Sequence, residues 1–455
     1  MLIRAYFSED IAHLSYTLIG KTQIFVIDPQ RDIQIYLDES QNRNLPVTGI
    51  LLTHPHADFI SGHIELQKKT KAKVYAHKDA PYQTKIERIS ESDLLDFDHI
   101  KIEVLETPGH TPFCNSFVIT DLSRGGKPVS VFTGDALFVG DVGRPDLFPN
   151  LKEELADLLY HSLFDKLLLL EDYVEVYPAH ASGSLCGKNL SEKRSTTIGY
   201  ERRYNKRLQV ENKEEFINNI LEDDLPVPEH FKYCASVNLK GAELVERLPE
   251  TKKIDYKKFT RYHKEKKCNI LDIRPHTEWI NFHVPDSLSI DIDCLAFANY
   301  AGWLLSADKP ILIVHSDLEQ VDKAISSLRK IGIDQQIYIL EQGIKTLVFN
   351  GFKFNQTQQF LPEYLVRKAK KLNNLIVLDV RSGVENNLCP DVEVLQIPAS
   401  SIFHKQPFMD SDMTYVVVCE KGALATLVIS YLEKLGHNNM AFLLGSGRAL
   451  RNLQK

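Results

Sequence analysis

The stretch Thr53-His54-Pro55-His56-Ala57-Asp58-Phe59 closes a β-rich run from Leu45 to Leu52. It places two histidines and an aspartate, side chains that commonly ligate metals, directly after a predicted strand. Three further motifs repeat this arrangement. They are Thr107-Pro108-Gly109-His110-Thr111 after Lys101 to Leu105, Thr133-Gly134-Asp135 after Ser130 to Phe132, and Tyr177-Pro178-Ala179-His180 after Tyr173 to Val176. Because loops that leave a rigid sheet can converge on one point, the sequence predicts a shared metal site.

The four motifs, in this order, resemble the metallo-β-lactamase superfamily. Three further stretches resemble persulfide dioxygenases fused to rhodanese domains within that superfamily. These are Ala-Asp-Phe-Ile-Ser-Gly-His (57–63), Gly-Asp-Val-Gly-Arg-Pro-Asp (140–146) and His-Ala-Ser-Gly-Ser-Leu-Cys-Gly-Lys (180–188). The resemblance covers essentially the whole chain. It implies an α/β protein, with a metallo-β-lactamase αββα sandwich followed by two small rhodanese-like parallel-sheet α/β domains.

The resemblance also implies that His54, His110 and Asp135 bind one Fe(II) per chain. Two imidazoles and one carboxylate form the facial triad of non-haem Fe(II) oxygenases, whose open positions let a thiolate-type substrate and O2 bind together. Zinc is the alternative metal, but it would favour hydrolysis through a bound hydroxide and has no accessible second oxidation state. Two-metal hydrolases of the superfamily usually carry a histidine where this chain has Phe59, which argues against a second metal.

The remaining motif residues, His56, Asp58 and His180, complete the metal shells in two-metal relatives. In this chain we expect them to hydrogen-bond to the ligands or to iron-bound water, which fixes tautomer and orientation. Direct ligation stays open, as does an ordinary role as loop residues with satisfied hydrogen bonds.

Two residues near these motifs have both a functional and a structural interpretation. The planar guanidinium of Arg144 suits the carboxylate of a thiol carrier as substrate, and the alternative is an ion pair with Asp141 or Asp146. Cys186 lies six residues beyond His180. It either reaches the rim of the pocket or is a buried, inert thiol.

The C-terminal part of the chain contains an imperfect repeat with a period of about a hundred residues. Asn269–Arg274 matches Ile376–Arg381, Pro310–Val314 matches Thr414–Val418, the helical pattern Gln320–Ile331 matches Ala423–Leu435, and Tyr338–Gly343 matches Phe442–Gly447. Strand–loop–helix alternation predicts two small parallel-sheet domains, in which Asp272 and Arg274, repeated as Asp379 and Arg381, stabilise each fold. We place the domains at 1–250, 251–358 and 359–455, with the charged stretch 200–267, broken by Pro226 and Pro228, as late helices and a linker.

The second copy carries Cys419-Glu420-Lys421-Gly422-Ala423-Leu424 between a predicted strand and a predicted helix. Loop N–H groups and the positive end of a helix favour a thiolate. The placement resembles the rhodanese active-site loop and implies that Cys419 is the sulfur-accepting nucleophile, with a buried structural thiol as the alternative. Active rhodaneses often carry Arg where Leu424 stands, so either Lys421 supplies positive charge for substrate binding or the loop takes sulfur from another persulfide. The first copy has His315-Ser316-Asp317 instead and is predicted to be inactive.

Composition limits the remaining classes of protein. A chain of 455 residues is long enough for about three domains. The formal net charge of −7 argues against nucleic acid as a partner, and no apolar run is long enough to span a membrane. Charged residues within Met1 to Gly20 argue against a signal peptide. Seven dispersed cysteines indicate reduced thiols, and hence a cytoplasmic protein.

These observations and the resemblance predict an Fe(II)-dependent dioxygenase that oxidises a low-molecular-weight persulfide with O2 to sulfite. Sulfur transfer at Cys419 would then yield thiosulfate. Two alternatives remain: a thioester hydrolase resembling glyoxalase II, which needs two metals, and a non-enzymatic sulfur carrier or sensor. A homo-oligomer stays open, because no stretch of the sequence shows an interface.

Overall fold

The computed structural model describes residues 1–223, 225, 227–306, 308–368, 374–382, 388, 393–405 and 407–453. The chain forms two compact units. The first comprises Met1–Arg247 together with Arg329–Gly332, and the second comprises Leu248–Leu328 and Ile333–Lys455. Pro226, at the predicted linker, and Cys389 lie outside the described residues.

The first unit contains two six-stranded sheets. The first sheet consists, in spatial order, of β1 (Leu2–Ser8), β2 (His13–Ile19), β3 (Ile24–Ile27), β4 (Val47–Leu51), β5 (Lys73–His77) and β6 (Glu87–Ile89). The second consists of β7 (Leu94–Phe97), β8 (Ile100–Glu106), β9 (Asn115–Asp121), β10 (Ser130–Gly134), β11 (Glu175–Pro178) and β12 (Thr196–Thr197). β3 to β6 pair in parallel, as do β10 and β11, and the other neighbours are antiparallel.

Helices cover the outer faces of both sheets. The helices of this unit are α1 (Gln34–Arg43), α2 (His63–Thr70), α3 (Lys152–Phe164), α4 (Ile198–Tyr204), α5 (Lys213–Leu221) and α6 (Glu229–Lys240). The predicted helical pattern Leu151–Leu170 is thus shorter, since α3 stops at Phe164 and a single 3-10 turn follows.

The apolar residues form three layers that define a sandwich. One cluster joins inward residues of both sheets, such as Phe25 and Phe117. A second joins the outer face of the first sheet to Tyr36 of α1 and Leu66 of α2. A third packs the other sheet against α3 and α5, with Leu159 at its centre. The period-two alternation of sheet residues sends side chains to both faces, so the unit is the predicted αββα sandwich.

The second unit contains two five-stranded parallel sheets with the same strand order. The first runs, in spatial order, β13 (Lys252–Ile254), β17 (Ile337–Leu340), β16 (Ile311–Val314), β14 (Asn269–Asp272) and β15 (Leu288–Ser289). The second runs β18 (Gln358–Phe360), β22 (Met440–Leu443), β21 (Thr414–Val418), β19 (Leu375–Asp379) and β20 (Val394–Gln396). The predicted repeat is therefore two parallel-sheet domains, and β13 shows that the first copy begins within the stretch interpreted as a linker.

The helices of the second unit alternate with these strands. They are α7 (Tyr256–Lys264), α8 (His276–Trp279), α9 (Phe297–Leu304), α10 (Glu319–Lys330), α11 (Ile344–Phe349), α12 (Pro362–Lys368), α13 (Ala399–His404), α14 (Ala423–Lys434) and α15 (Ser446–Leu453). In the second copy, the short strand predicted within Phe442–Gly447 is β22, after which Gly445 turns the chain at φ +69° and α15 begins at Ser446. No helix in the described part of the chain has the length and apolarity needed to cross a bilayer.

A buried ion pair recurs at the same place in both sheets. Arg274 donates to Asp272 at 2.7 Å, and both side chains are fully buried. Arg381 makes the equivalent 2.7 Å contact with Asp379. Each pair joins the end of a central strand to the loop that follows it, which agrees with the expected structural role.

Candidate metal centre

The metal-type side chains lie in loops that directly follow strands. His54 follows β4, His110 follows β8, Asp135 follows β10 and His180 follows β11. Each loop begins where backbone pairing ends, so the sheets set the positions of all four side chains. The four residues are buried.

Three of these residues present ligand atoms to one point. The ligand atoms of His54, His110 and Asp135 lie within 4.8 Å of one another. Asp135 Oδ2 is 3.3 Å from His110 Nε2 and 3.7 Å from His54 Nε2. The predicted ligand set therefore converges as the motif spacing indicated.

Hydrogen bonds on the far side of each imidazole fix its tautomer. His110 Nδ1 lies 3.0 Å from the Arg144 carbonyl oxygen, to which it donates. His54 Nδ1 lies 2.9 Å from Thr53 Oγ1, and that hydroxyl donates to Asp28 Oδ2 at 2.7 Å, so it accepts from the ring. In both rings the lone pair is thus on Nε2, which faces Asp135.

The protonation states of His54, His110 and Asp135 suit metal binding. Burial, with neighbouring His56, lowers the pKa of His54 well below its ordinary value, and burial also lowers the pKa of His110. Burial opposes ionisation of Asp135, but His180 and His54 nevertheless hold its pKa well below the usual range. Asp135 Oδ2 has no hydrogen-bond partner among the described protein atoms. Two neutral imidazoles and a carboxylate oxygen fit a divalent metal such as Fe(II).

A second cluster lies beside the first. Ligand atoms of His56, Asp58 and His180 also lie within 4.8 Å of one another. His180 is held between two carboxylates, with Nδ1 2.8 Å from Asp135 Oδ1 and Nε2 2.8 Å from Asp58 Oδ2. Burial disfavours its charged form, but these two carboxylates raise its pKa well above the ordinary value. A protonated imidazole has no lone pair for a metal, which favours an orienting role for His180.

Sequence reasoning missed His13, which lies at the start of β2. Its side chain is fully buried, and neither ring nitrogen has a hydrogen-bond partner among the described protein atoms. The ring centroid lies 4.1 Å from that of Phe59 and 5.3 Å from those of His56 and His180. His13 belongs to no recognisable motif. It reaches the site through a backbone bridge to His180, which is far along the chain.

Arg144 forms an ion pair with Asp146, one of the two aspartates considered as structural partners. Its Nε and Nη2 donate to the two carboxylate oxygens of Asp146 at 2.7 and 2.5 Å, and Nη1 donates to the Leu185 carbonyl at 3.0 Å. The side chain is buried. This geometry does not favour capture of a substrate carboxylate by the guanidinium, although the Arg144 carbonyl positions His110.

Cys186 reaches the metal pocket. Its Sγ and ligand atoms of Asp135 and His180 lie within 4.8 Å of one another. Burial and the charge of Asp58 raise the pKa of the Cys186 thiol to about 12. It is therefore a buried, protonated thiol beside the candidate ligands.

The Cys419 loop forms a separate site in the second unit. Cys419 lies between β21 and α14, is buried, and accepts a hydrogen bond on Sγ from Gly422 N–H at 3.1 Å. Its own N–H donates to Ser446 Oγ at 2.8 Å. Lys421 is exposed. In the first copy, the equivalent His315 is buried with Nε2 3.1 Å from the Leu340 carbonyl oxygen, and no thiol stands in its place.

Comparisons with known proteins agree with this fold. The metallo-beta-lactamase superfamily model matches residues 12–180, and the rhodanese-like domain model matches residues 255–348. The mitochondrial persulfide dioxygenase ETHE1 of Homo sapiens is 30% identical over 256 residues, which cover 53% of this chain and 88% of that protein. A hydroxyacylglutathione hydrolase of Shewanella baltica is 32% identical over 167 residues, covering 35% of this chain and 57% of that protein.

A crystal structure of a metallo-beta-lactamase from Staphylococcus aureus extends the likeness into the second unit. It is 29% identical with a TM-score of 0.67, and it covers 75% of this chain and 98% of that chain. The fold and site thus define a metallo-β-lactamase-type protein with rhodanese-like domains. The chain belongs to the metallo-β-lactamase superfamily, as a homologue of the ETHE1 persulfide dioxygenases.

Proposed function

We propose that the first unit is an Fe(II)-dependent dioxygenase that oxidises a low-molecular-weight persulfide with O2 to sulfite. The relationship to ETHE1 and the rhodanese-like domain support an enzyme of sulfur metabolism. The observation that carries the proposal is the donor set: the Nε2 atoms of His54 and His110 converge with Asp135 Oδ2 on one point. We infer one metal with open positions at this set.

Iron bound by His54, His110 and Asp135 would supply the redox step and sites for a thiolate-type substrate and O2. The chain's own residues prepare those ligands. Thr53 and the Arg144 carbonyl hold the two imidazoles in the ligating tautomer. Protonated His180 holds Asp135 Oδ1, so only Oδ2 faces the metal position. The protein thereby limits rotation of each ligand before substrate arrives.

The second unit would pass sulfur through Cys419. Cys419 Sγ accepts the Gly422 N–H, and the residue lies in the loop that leads into the start of α14. In the proposed step, sulfite attacks the outer sulfur of a Cys419 persulfide, the S–S bond breaks, and Cys419 leaves as thiolate with thiosulfate as product. Cys419→Ala should raise the ratio of sulfite to thiosulfate formed, whereas an unchanged ratio would remove this step.

The thioester hydrolase is the second candidate, favoured by the Shewanella relative and the His56, Asp58 and His180 cluster. Against it stands the fully buried Phe59, whose ring centroid lies 4.6 Å from that of His56. Phe59 contributes no ligand atom, so a second metal would lack the histidine that such hydrolases usually place there.

Oxygen uptake by anaerobically Fe(II)-loaded protein on addition of glutathione persulfide tests the dioxygenase. We expect uptake matched by sulfite plus thiosulfate, at one iron per chain, and its loss in His110→Ala. The matched control is His161→Ala, since His161 is exposed on α3. Thioester turnover with two metals per chain, and no oxygen uptake, would favour the hydrolase. Persulfide binding without oxygen uptake, across several carriers, would favour a sulfur carrier or sensor.

A further inference from the structure

The first rhodanese-like copy packs directly against the second copy around the Cys419 loop. Trp279 and Ile280, at the end of α8, belong to the same core cluster as Cys419. The backbone N–H of Ser289 in β15 donates to Ser430 Oγ of α14 at 3.0 Å. These contacts hold α8 beside the start of α14.

Gly422 connects this interface to the thiol. Its N–H donates to Cys419 Sγ at 3.1 Å, and its φ is +117°. A Cβ at Gly422 would lie 2.9 Å from His276 Nε2 and 3.1 Å from His276 Cδ2. The imidazole of the first copy therefore lies against the backbone that binds Sγ, and a side chain at this position would collide with it.

Asp291 orients the His276 ring. Asp291 Oδ2 lies 2.9 Å from His276 Nδ1 and accepts from the His276 backbone N–H at 3.1 Å. Burial opposes ionisation of Asp291, but hydrogen bonds from His276 and Asp293 lower its pKa overall. With Nδ1–H donated to this carboxylate, Nε2 faces Gly422 as the atom that can take or give a proton. The His276 side chain is 21% exposed, so a small molecule can reach it.

Two guanidinium groups near the loop, those of Arg381 and Arg451, are already engaged by carboxylates. Arg381 donates to Asp379 and lies 3.8 Å from Glu420. Arg451 also pairs with Glu420. The position at which active rhodaneses often carry Arg holds Leu424. Arginine is in any case too weak an acid to serve as a proton carrier near neutral pH.

We propose that His276, held by Asp291, is the acid–base residue for sulfur transfer to Cys419, supplied by the copy that lacks its own cysteine. This inference rests on the proposed role of Cys419 as sulfur acceptor. His276 takes the Cys419 proton, and the thiolate attacks the outer sulfur of a low-molecular-weight persulfide RSSH. The S–S bond breaks, Cys419 becomes a persulfide, and RS⁻ leaves. The imidazolium returns the proton to give RSH, so atoms and charge balance without an oxidant.

The ionisable groups around this pocket shape the pH profile. They include Asp291, Cys294, Cys419, Tyr300, Arg381 and Glu420. A limb of the pH profile that disappears on replacing His276 would thus report the imidazole itself.

The test measures single-turnover transfer from glutathione persulfide to Cys419 in full-length, iron-loaded protein without oxygen. Mass spectrometry of the alkylated Cys419 peptide reports the persulfide. His276→Ala and His276→Gln should slow transfer by about 10²–10⁴-fold, the usual contribution of a positioned acid or base. Both should also lose the imidazole limb of the pH profile. His404→Ala, at an exposed histidine of the second copy, is the matched control.

A second substrate separates proton transfer from pocket structure. A mixed disulfide that releases a thiol of low pKa needs no proton on its leaving group, so at alkaline pH the His276 variants should react within a few-fold of wild type. Equal slowing with both substrates, or no slowing with either, would overturn the proposal. Wild-type levels of protein-bound persulfide in Cys419→Ala, measured by mass spectrometry of the intact protein, would overturn this inference and the role of Cys419 together. None of these outcomes depends on oxygen consumption, so the dioxygenase is tested separately.

Discussion

Replacing His180 by glutamine should destabilise the first unit strongly in metal-free protein. His180 is fully buried between Asp135 and Asp58, with both nitrogen–oxygen distances at 2.8 Å. Glutamine keeps a polar side chain of similar reach but carries no positive charge. The variant therefore leaves two carboxylates buried without their shared counterion.

Removing one partner from a buried ion pair costs about 3–5 kcal/mol, and we expect a loss of this size near pH 7. The pH dependence has a defined sign. The folded-state pKa of His180 is raised, so its stabilisation is complete below about pH 6.5 and is lost as pH rises through the raised pKa. The folded-state pKa values of Asp58 and Asp135 are lowered, so their stabilisation is present above about pH 4 and is lost on acidification.

His180→Gln should reverse the pH dependence of stability on the acidic side of neutrality. Without His180, burial raises the pKa values of the carboxyl groups, so the variant should gain stability as pH falls from 7 towards 4. The difference from wild type then narrows over that range. Wild type should gain less over the same range, because its carboxylates stay paired and its His180 stabilisation is already complete below about pH 6.5.

Urea unfolding of chelator-treated protein measures this effect, with an internal control. Both tryptophans, Trp279 and Trp303, lie in the second unit. Far-ultraviolet circular dichroism follows both units, whereas tryptophan fluorescence follows the second. His180→Gln should shift the circular dichroism transition of the first unit and leave the fluorescence transition in place. A loss below about 1 kcal/mol at pH 7, the range of an exposed pair, would refute the buried imidazolium.

Three further changes test other parts of the molecule. Phe59→His should raise the metal content from one to two ions per chain, because the new imidazole would join the His56, Asp58 and His180 cluster, whose ligand atoms lie within 4.8 Å of one another. Mass spectrometry of dialysed protein measures the metal content, and Phe59→Leu should leave it unchanged. Thr53→Val removes the hydroxyl that orients the next residue's imidazole and should weaken iron binding about 10–100-fold in chelator competition, and unchanged affinity would contradict that role. Asp272→Asn leaves Arg274 buried without a counterion and should cost the second unit about 3–5 kcal/mol, read from tryptophan fluorescence; a cost under 1 kcal/mol would count against the pair.

The sequence was most informative where local pattern and position coincide. His54, His110 and Asp135 each follow a strand, so strand ends read from the sequence were sufficient to predict their convergence. His13 lies within an apolar strand, and its place depends on pairing with residues far along the chain. For Arg144 the sequence left open a substrate carboxylate and an ion pair with Asp141 or Asp146, and only packing selects Asp146.

The same reasoning explains what the repeat could and could not predict. Matching strands in the two copies predicted two small parallel-sheet domains, and the absence of the cysteine from the first copy was visible directly. The approach of His276 to Gly422 was not predictable, because it depends on how two separately folded sheets dock. The secondary structure of a segment can be predicted from its own sequence, whereas contacts between distant elements depend on how their surfaces fit together.

The ionisation state of the three candidate ligands has a consequence for how metal is acquired. Metal binding to histidine and carboxylate ordinarily competes with protons and releases them. Here His54 and His110 are already neutral and Asp135 is already ionised, since burial and His180 set those states in the polypeptide itself. Near neutrality an arriving cation should therefore displace few protons from these three side chains.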